Sequence, residues 1–113
     1  MSEVMSSVNL REMVDELMAG TGSSGRATHV FRAVTGGALS QVLLVLREGR
    51  ELSEHDNPGE ALLHVLRGRV RLIVGDGTCA LGPDEHLVIP QERHSLLALE
   101  DAAVLLTIVK SRA

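Results

Sequence analysis

The sequence has very few aromatic side chains and very few cysteines. Its 113 residues include one phenylalanine, Phe31, and no tryptophan or tyrosine. Proteins that bind single-stranded nucleic acid stack bases on aromatic rings, so that role is disfavoured. The single cysteine, Cys79, can form neither an intrachain disulfide nor a cysteine-based zinc site. A net charge of −4 and a pI near 5.7 also argue against a nucleic-acid or anionic-membrane partner.

Long apolar runs and targeting signals are missing as well. No apolar run approaches the ~20 residues that a membrane helix requires. The opening residues, MSEVMSS, lack the basic and apolar regions of a secretory signal. We therefore expect a cytoplasmic protein with no membrane partner. Arginines far outnumber the single lysine, Lys110, which is typical of a GC-rich bacterial source. The length predicts one domain, with a modest core built mainly from leucine and valine.

The first 25 residues predict a short amphipathic helix followed by a flexible link. Asn9, followed three residues later by Glu12, is typical of a helix N-cap. The glycine- and serine-rich segment 20–25 ends the helix. Because so short a helix is marginal alone, we expect it to dock on the rest of the chain or on a second subunit. Its apolar residues recur at helical spacing: Leu10, Met13, Val14, Leu17 and Met18.

Residues 26–113 predict an all-β barrel or sandwich. Short apolar segments alternate with turn signals about every eight to twelve residues, and no helical pattern lies between them. We therefore divide the chain into a helix and link at 1–25 and a β-barrel at 26–113. The predicted strands cover residues 27–34, 39–46, 60–66, 69–74, 78–81, 86–89, 94–99 and 102–109.

Two of these strands, 60–66 and 69–74, are separated only by Arg67 and Gly68. A two-residue connection that closes on glycine predicts a β-hairpin, in which His64 would face Arg71. Side chains alternate along a strand, so one face of the hairpin would be wholly apolar and would form the interior. Glu60 would then lie outside. The predicted interior residues are Ala61, Leu63, Val65, Val70, Leu72 and Val74.

The stretch from Gly49 to Gly68 resembles the first motif of the cupin family, whose small antiparallel β-barrels usually hold a metal. That motif reads Gly, five residues, His-x-His, three or four residues, Glu, six residues, Gly. The spacing is kept, with His55 at the first histidine, but Asn57 stands at the second histidine and Ala61 at the glutamate. A rival alignment places Ser53, His55 and Glu60 at the ligand positions. We prefer the first alignment because the predicted faces put Glu60 outside.

A later stretch resembles the second motif of the same family. Gly82-Pro-Asp-Glu85 matches its Pro-Gly-Asp turn, and Leu87-Val-Ile-Pro90 matches the strand that leads into its proline. His94 matches its histidine, one residue early, while Ala98 replaces its closing asparagine. The resemblance covers about residues 38–109. It implies an all-β fold, the cupin double-stranded β-helix or RmlC-like jelly roll, with the short N-terminal helix added.

The resemblance implies that His55 and His94 meet inside the barrel as metal ligands. Such a site would take Fe, Mn, Ni or Zn, with Asn57 as a third ligand. His86, which shares a strand face with Val88, is the other candidate, provided that it faces inward. Two imidazoles and an amide lack the carboxylate that holds a divalent cation. We therefore expect a degenerate metal site and no resident cofactor, with a divalent transition metal as the alternative.

Two functions stay open. In the first, a small organic ligand binds an apolar barrel pocket, with His55, Asn57 and His94 as polar anchors. The pocket would be lined by Ala61, Leu63, Val65, Val70 and Leu72. In the second, the chain is a metal-dependent enzyme, similar to cupin dioxygenases or isomerases, that uses His55 and His94 as ligands. We favour the first and leave enzymatic activity open. Small cupins pair through a sheet edge, so the resemblance also implies a homodimer.

The remaining reactive side chains are interpreted as structural or surface residues. His29 and His64 are expected at the surface or at a subunit contact. Cys79, between two turns, is expected to be a buried and inert thiol because no base is paired with it in the sequence.

Overall fold

The structure is a computed structural model that describes residues 5–32, 36–55 and 59–110. Within these ranges the chain forms helix α1, a 3-10 turn at Gly22–Ser24 and nine β-strands. No helix in these ranges is long and apolar enough to span a bilayer. The elements are α1 Leu10–Ala19, β1 Arg26–Arg32, β2 Leu39–Leu46, β3 Glu51–His55, β4 Gly59–Arg67, β5 Val70–Val74, β6 Gly77–Leu81, β7 His86–Val88, β8 His94–Ala98 and β9 Ala102–Lys110.

The strands form two antiparallel sheets whose inner faces share one core. The five-stranded sheet has the order β1-β2-β9-β4-β7, and the four-stranded sheet has the order β3-β8-β5-β6. This arrangement confirms the predicted jelly-roll barrel. The inner cluster between the sheets contains Leu44, Leu46, Ala61, Leu63, Val65, Val70, Leu72, Leu81, Ile89, Leu96, Ala98, Ala102 and Val104.

Helix α1 docks on the outer face of the five-stranded sheet. Its N-cap is as predicted, because the Asn9 side chain accepts a hydrogen bond of 3.0 Å from the backbone N–H of Glu12. Val14, the buried residue of the helix, packs in a second cluster with Leu43, Val45, Ala103 and Leu105. Strand β2 is therefore covered on both faces, which explains its continuous apolar run.

The predicted hairpin between β4 and β5 is wrong. Strand β4 pairs with β7 and β9, whereas β5 pairs with β6 and β8 in the other sheet. His64 consequently lies opposite His86 and not opposite Arg71. The predicted faces are nevertheless correct, since Ala61 is buried in the inner cluster and Glu60 is exposed. Alternation along a strand does not depend on which strand is its neighbour.

Contacts between distant segments explain why the chain crosses between sheets at Gly68. Gly68 has φ +73°, and a Cβ there would overlap the carbonyl oxygen of Asp101. Asp101 belongs to a second crossing, from β8 to β9. The two crossings are joined by a hydrogen bond of 2.9 Å from Leu99 N–H to the carbonyl of Arg69. We call this region, around Gly68 and Asp101, the closed end.

Arg47 ties the N-terminal segment to the closed end. Its guanidinium donates to the carbonyl of Met18 at 2.7 Å, to the hydroxyl of Thr21 at 3.1 Å and to the Asp101 carboxylate at 2.9 Å. The backbone N–H of Glu48 donates to the same carboxylate at 2.8 Å. This backbone bond, followed by Arg47, lowers the pKa of Asp101. The segment predicted to be a flexible link is thus held by specific hydrogen bonds.

Candidate functional site

The opposite end of the barrel, which we call the open end, contains three of the positions that the resemblance singled out, His55, Ala61 and His94. The backbone register pairs His55 on β3 with His94 on β8. Val74 and His94 each lie one residue beyond the pair formed by Ile73 and Ser95, so they are neighbours at this end. Ala61 lies at the same end of the barrel, because it is the third residue of β4, which starts there. The register of the two sheets, more than any local motif, defines the site.

His94 is a buried imidazole on the inner face of the barrel. It shares a strand face with Leu96 and Ala98, both members of the inner cluster, and it is only 3% exposed. Its Nδ1 lies 3.0 Å from the carbonyl oxygen of Glu92. Since a carbonyl only accepts, Nδ1 carries the proton in this contact. The ring is therefore held in a defined orientation.

Strand β3, which carries His55, was missed in the sequence. Its residues Glu-Leu-Ser-Glu-His contain one apolar side chain, Leu52, which packs against the inner cluster. A bulge between Leu52 and His55 breaks its register with β8. An edge strand with so many polar residues shows no alternation of apolar and polar side chains in the sequence. It is recognised only from its pairing with β8. Asn57 lies outside the described residues, and its predicted role stays a prediction.

The open end also contains a solvent-accessible apolar cleft. Its volume is about 290 Å³, and it lies between β6 and β7, the edge strands of the two sheets. β7 spans only three residues and β6 is exposed up to Leu81, so the two edges do not cover one another. We call it the β6–β7 cleft. It is lined by Leu72, Val74, Gly77, Thr78, Cys79, Leu87, Val88 and Pro90.

The cleft differs in part from the predicted pocket. Of the predicted lining residues, Leu72 borders it, while Leu63, Val65 and Val70 are fully buried in the inner cluster. Their role as ligand contacts stays a prediction. Cys79 is exposed in the cleft and not buried as expected. Val88, another lining residue, is a large apolar side chain that is 70% exposed.

Comparison with known proteins identifies the family. A family model described as a cupin domain matches residues 42–109, more than half of the chain. The chain belongs to the cupin family. A search of curated proteins found no significant match.

Solved structures show the same fold at low sequence identity. A conserved protein of unknown function from Streptococcus pyogenes superposes with a TM-score of 0.71 and 24% identity, covering 80% of this cupin and 79% of that chain. A salicylate 1,2-dioxygenase from Pseudaminobacter salicylatoxidans gives 0.74 and 17%, covering 87% and 33%. An oxalate decarboxylase from Bacillus subtilis with Mn(II) centres gives 0.70 and 19%, covering 79% and 26%. At these identities the likeness shows the fold alone.

Two described positions bear on the metal ligands that the resemblance implies. Ala61 is 3% exposed on the inner face, so a methyl group occupies the position of the family's glutamate. Glu60, the ligand of the rival alignment, is exposed and lies opposite Val109 in the sheet. Within the described ranges, no group of three or more His, Cys, Asp or Glu side chains is arranged to hold an ion.

His86 does not face inward, so it does not meet the condition on which it was a candidate ligand. Leu87, its neighbour on β7, packs against the inner cluster, so His86 projects from the other side of the sheet. It is exposed, and its ring lies beside that of His64. Val88, which shares a strand face with His86, is likewise exposed.

Proposed function

We propose that this cupin binds a small, mostly apolar organic molecule in the β6–β7 cleft. The observation that carries the proposal is the lining, in which Leu72, Val74, Leu87 and Pro90 surround an accessible space of about 290 Å³. Ligand pockets in proteins are mainly apolar and start at about 300 Å³. The cleft therefore suits a ligand no larger than a substituted ring or a short acyl chain.

Polar groups beside the cleft would orient the ligand. Thr78 is a polar residue of the lining. His94 adjoins Val74, a lining residue, in the register of β5 and β8, and the register of β3 and β8 brings His55 next to His94. We propose that these two histidines, with Asn57, anchor a polar substituent while the apolar part of the ligand contacts β6 and β7. A few convergent polar groups in an apolar site are the usual basis of specificity.

Ligand binding can be tested with two probes, indole and benzoate, which differ in charge but share a single flat ring system. We expect saturable chemical-shift changes at Val74, Leu87 and Val88, together with slower alkylation of Cys79 by iodoacetamide. Val74→Phe would fill the cleft and weaken binding at least tenfold, about 1.4 kcal/mol. Val30→Phe is the control, because Val30 is 52% exposed on β1, away from the cleft.

Two results would contradict the ligand proposal. One is the absence of saturable shift changes for both probes at millimolar concentration. The other is binding that maps to the groove beside α1, which is lined by Leu10, Arg11, Val14, Leu66 and Arg67. In that case Val74→Phe would leave the affinity unchanged.

A metal-dependent enzyme is the second candidate, favoured by the pairing of His55 with buried His94. We propose instead that the centre is degenerate because Ala61 supplies no carboxylate. Ala61→Glu should then create a Mn²⁺ site while destabilising the metal-free protein by about 1–3 kcal/mol, since a buried polar group lacks partners. Ile73→Glu, with the same charge on the outer face of the four-stranded sheet, is the control, because Ile73 alternates with the inward-facing Leu72 and Val74.

The measurement is the Tm of each protein with and without Mn²⁺. We expect Mn²⁺ to raise the Tm of Ala61→Glu and to leave the Tm of wild type and of Ile73→Glu unchanged, because only a ligand of the folded state shifts the midpoint. A rise in wild type that His94→Gln abolishes would place the metal-dependent enzyme first.

We propose in addition that the chain is cytoplasmic and forms a homodimer through the edge of β1. This strand ends the five-stranded sheet and pairs only with β2 among the described strands. An unpaired edge favours association with another strand. Light scattering should give about 24 kDa, twice the 12.1 kDa chain mass. Val30→Lys should shift the protein toward the monomer, and a wild-type monomer would refute the dimer.

A further inference from the structure

Two histidines face each other on the outer surface of the five-stranded sheet. His64 on β4 and His86 on β7 are directly opposite in the register, and their ring centroids lie 6.4 Å apart. His86 is exposed and His64 is half-buried. Leu63 and Leu87 project to the inner side of the same strands. The pair therefore belongs to a surface that the inner cluster separates from His94.

The hydrogen-bond pattern places these two rings at a close cross-strand position. One residue beyond the pair, Val65 N–H donates to the carbonyl of Glu85 at 2.9 Å. Bonded and non-bonded pairs alternate along an antiparallel ladder, so His64 and His86 form a non-hydrogen-bonded pair. At such positions the Cα atoms are only about 4.5 Å apart and the side chains approach most closely.

We propose that His64 and His86 together bind one Cu²⁺, Ni²⁺ or Zn²⁺ ion, with water completing the coordination shell. A bond of about 2.0–2.1 Å from metal to imidazole nitrogen puts each ring centroid about 3 Å from the ion. Two rings on one ion can thus have centroids up to about 6 Å apart. The observed 6.4 Å needs only a small side-chain rotation, which the exposed His86 permits.

The donor chemistry determines which ions would bind. Imidazole suits Cu²⁺, Ni²⁺ and Zn²⁺, whereas Mg²⁺ and Mn²⁺ prefer oxygen ligands. We expect Cu²⁺ to bind most tightly, as the order of divalent affinities dictates. Binding should be lost at acidic pH, because a protonated imidazole cannot ligate a metal. The site is separate from the open end, so metal found in the purified protein would not by itself establish a centre at His94.

Ni²⁺ titration of protein freed of any affinity tag tests the site. We expect one Ni²⁺ per chain in equilibrium dialysis at neutral pH. His86→Gln and His64→Gln should each weaken binding at least about tenfold, the lower end of what loss of even an outer-shell partner costs. His29→Gln is the control, since His29 is exposed on β1 in the same sheet. His94→Gln distinguishes the outer site from an interior one.

The outcome that supports the proposal is loss of affinity in both variants of the pair, with His29→Gln and His94→Gln binding as wild type does. Substoichiometric Cu²⁺ should also broaden the ring proton signals of His64 and His86 before those of other histidines. The proposal is overturned by an unchanged affinity in His86→Gln, by an equal loss in His94→Gln, or by no saturable Ni²⁺ binding. His86 is exposed, so its variant retains the fold and the comparison stays valid; far-UV circular dichroism verifies this.

Discussion

The closed and open ends of the barrel are built from similar strands but packed in different ways. At the closed end, two crossings between the sheets contact each other around Gly68, and Arg47 fastens them to the N-terminal segment. At the open end, the short β7 and the exposed β6 leave an apolar cleft between them. We infer that the closed end provides stability, while the open end holds the cleft of the proposed ligand site.

The largest expected effect is that of Gly68→Ala at the closed end. The new Cβ would overlap the carbonyl of Asp101, and a φ of +73° is unfavourable for alanine. Backbone strain of about 1–2 kcal/mol and overpacking of about 1–3 kcal/mol together predict a loss of about 2–5 kcal/mol in the free energy of unfolding. Urea denaturation measures this loss.

Gly75→Ala at the open end is the matched control for that substitution. Gly75 also has a positive φ, +55°, but a Cβ there would meet no atom within 4 Å. Only the backbone cost of about 1–2 kcal/mol applies. Equal losses for the two variants would show that the contact between the crossings contributes nothing.

A smaller difference is expected between two valines on the inner face. Val65, at the closed end, is completely buried, whereas Val74 borders the cleft. Val65→Ala removes two buried methyl groups and should cost about 1.5–3 kcal/mol. Val74→Ala should cost less than about 1 kcal/mol because part of its surface is already in contact with water. Thermal unfolding of both variants checks the order, and a larger loss for Val74→Ala would reverse the comparison.

The smallest effect concerns the pH dependence contributed by Asp101. Its pKa is lowered in the folded state by the Glu48 backbone N–H and by Arg47, so the charged form stabilises the fold at neutral pH. This contribution is fully present above the unfolded pKa of about 4 and is lost as the pH falls through the lower, folded pKa. We expect the stability difference between wild type and Asp101→Asn to be largest near pH 7 and to vanish in strong acid.

Urea denaturation at several pH values measures that difference. Asp76→Asn changes the same chemical group in the exposed turn between β5 and β6 at the open end. Asp76→Asn should change the free energy of unfolding little at any of these pH values. If the stability difference between wild type and Asp101→Asn does not depend on pH, the charge of Asp101 does not stabilise the closed end.

Local patterns in the sequence predicted the helix, its cap and the inner faces of the strands, because each depends on neighbours within a few residues. Asn9 and the alternation through Ala61 and Leu63 are examples. Strand partners were not predictable in this way. A two-residue connection such as Arg67-Gly68 suits both a hairpin and a crossing, and the choice depends on Asp101, which is distant in sequence.

Only part of the candidate site was predicted, because its local features can be inferred from the sequence and its strand partners cannot. Ala61 was assigned to the interior correctly from the alternation of side chains, and His94 from the family resemblance. The β6–β7 cleft was not predicted, because it arises where the edges of two different sheets fail to meet. His86 was misplaced because a strand of three residues is too short for its burial pattern to identify the inner face.

Because β2 is covered on both faces, helix α1 protects one of its apolar faces from solvent. Residues 43–46 of this strand are apolar without interruption and are buried, half of them beneath the helix. If α1 detached, Leu43 and Val45 would face water on a flat, β-prone surface. Such surfaces recruit other chains into intermolecular sheets. The helix thus shields an aggregation-prone strand, and the hydrogen bond from Arg47 to the carbonyl of Met18 is one of the contacts that hold the helix in place.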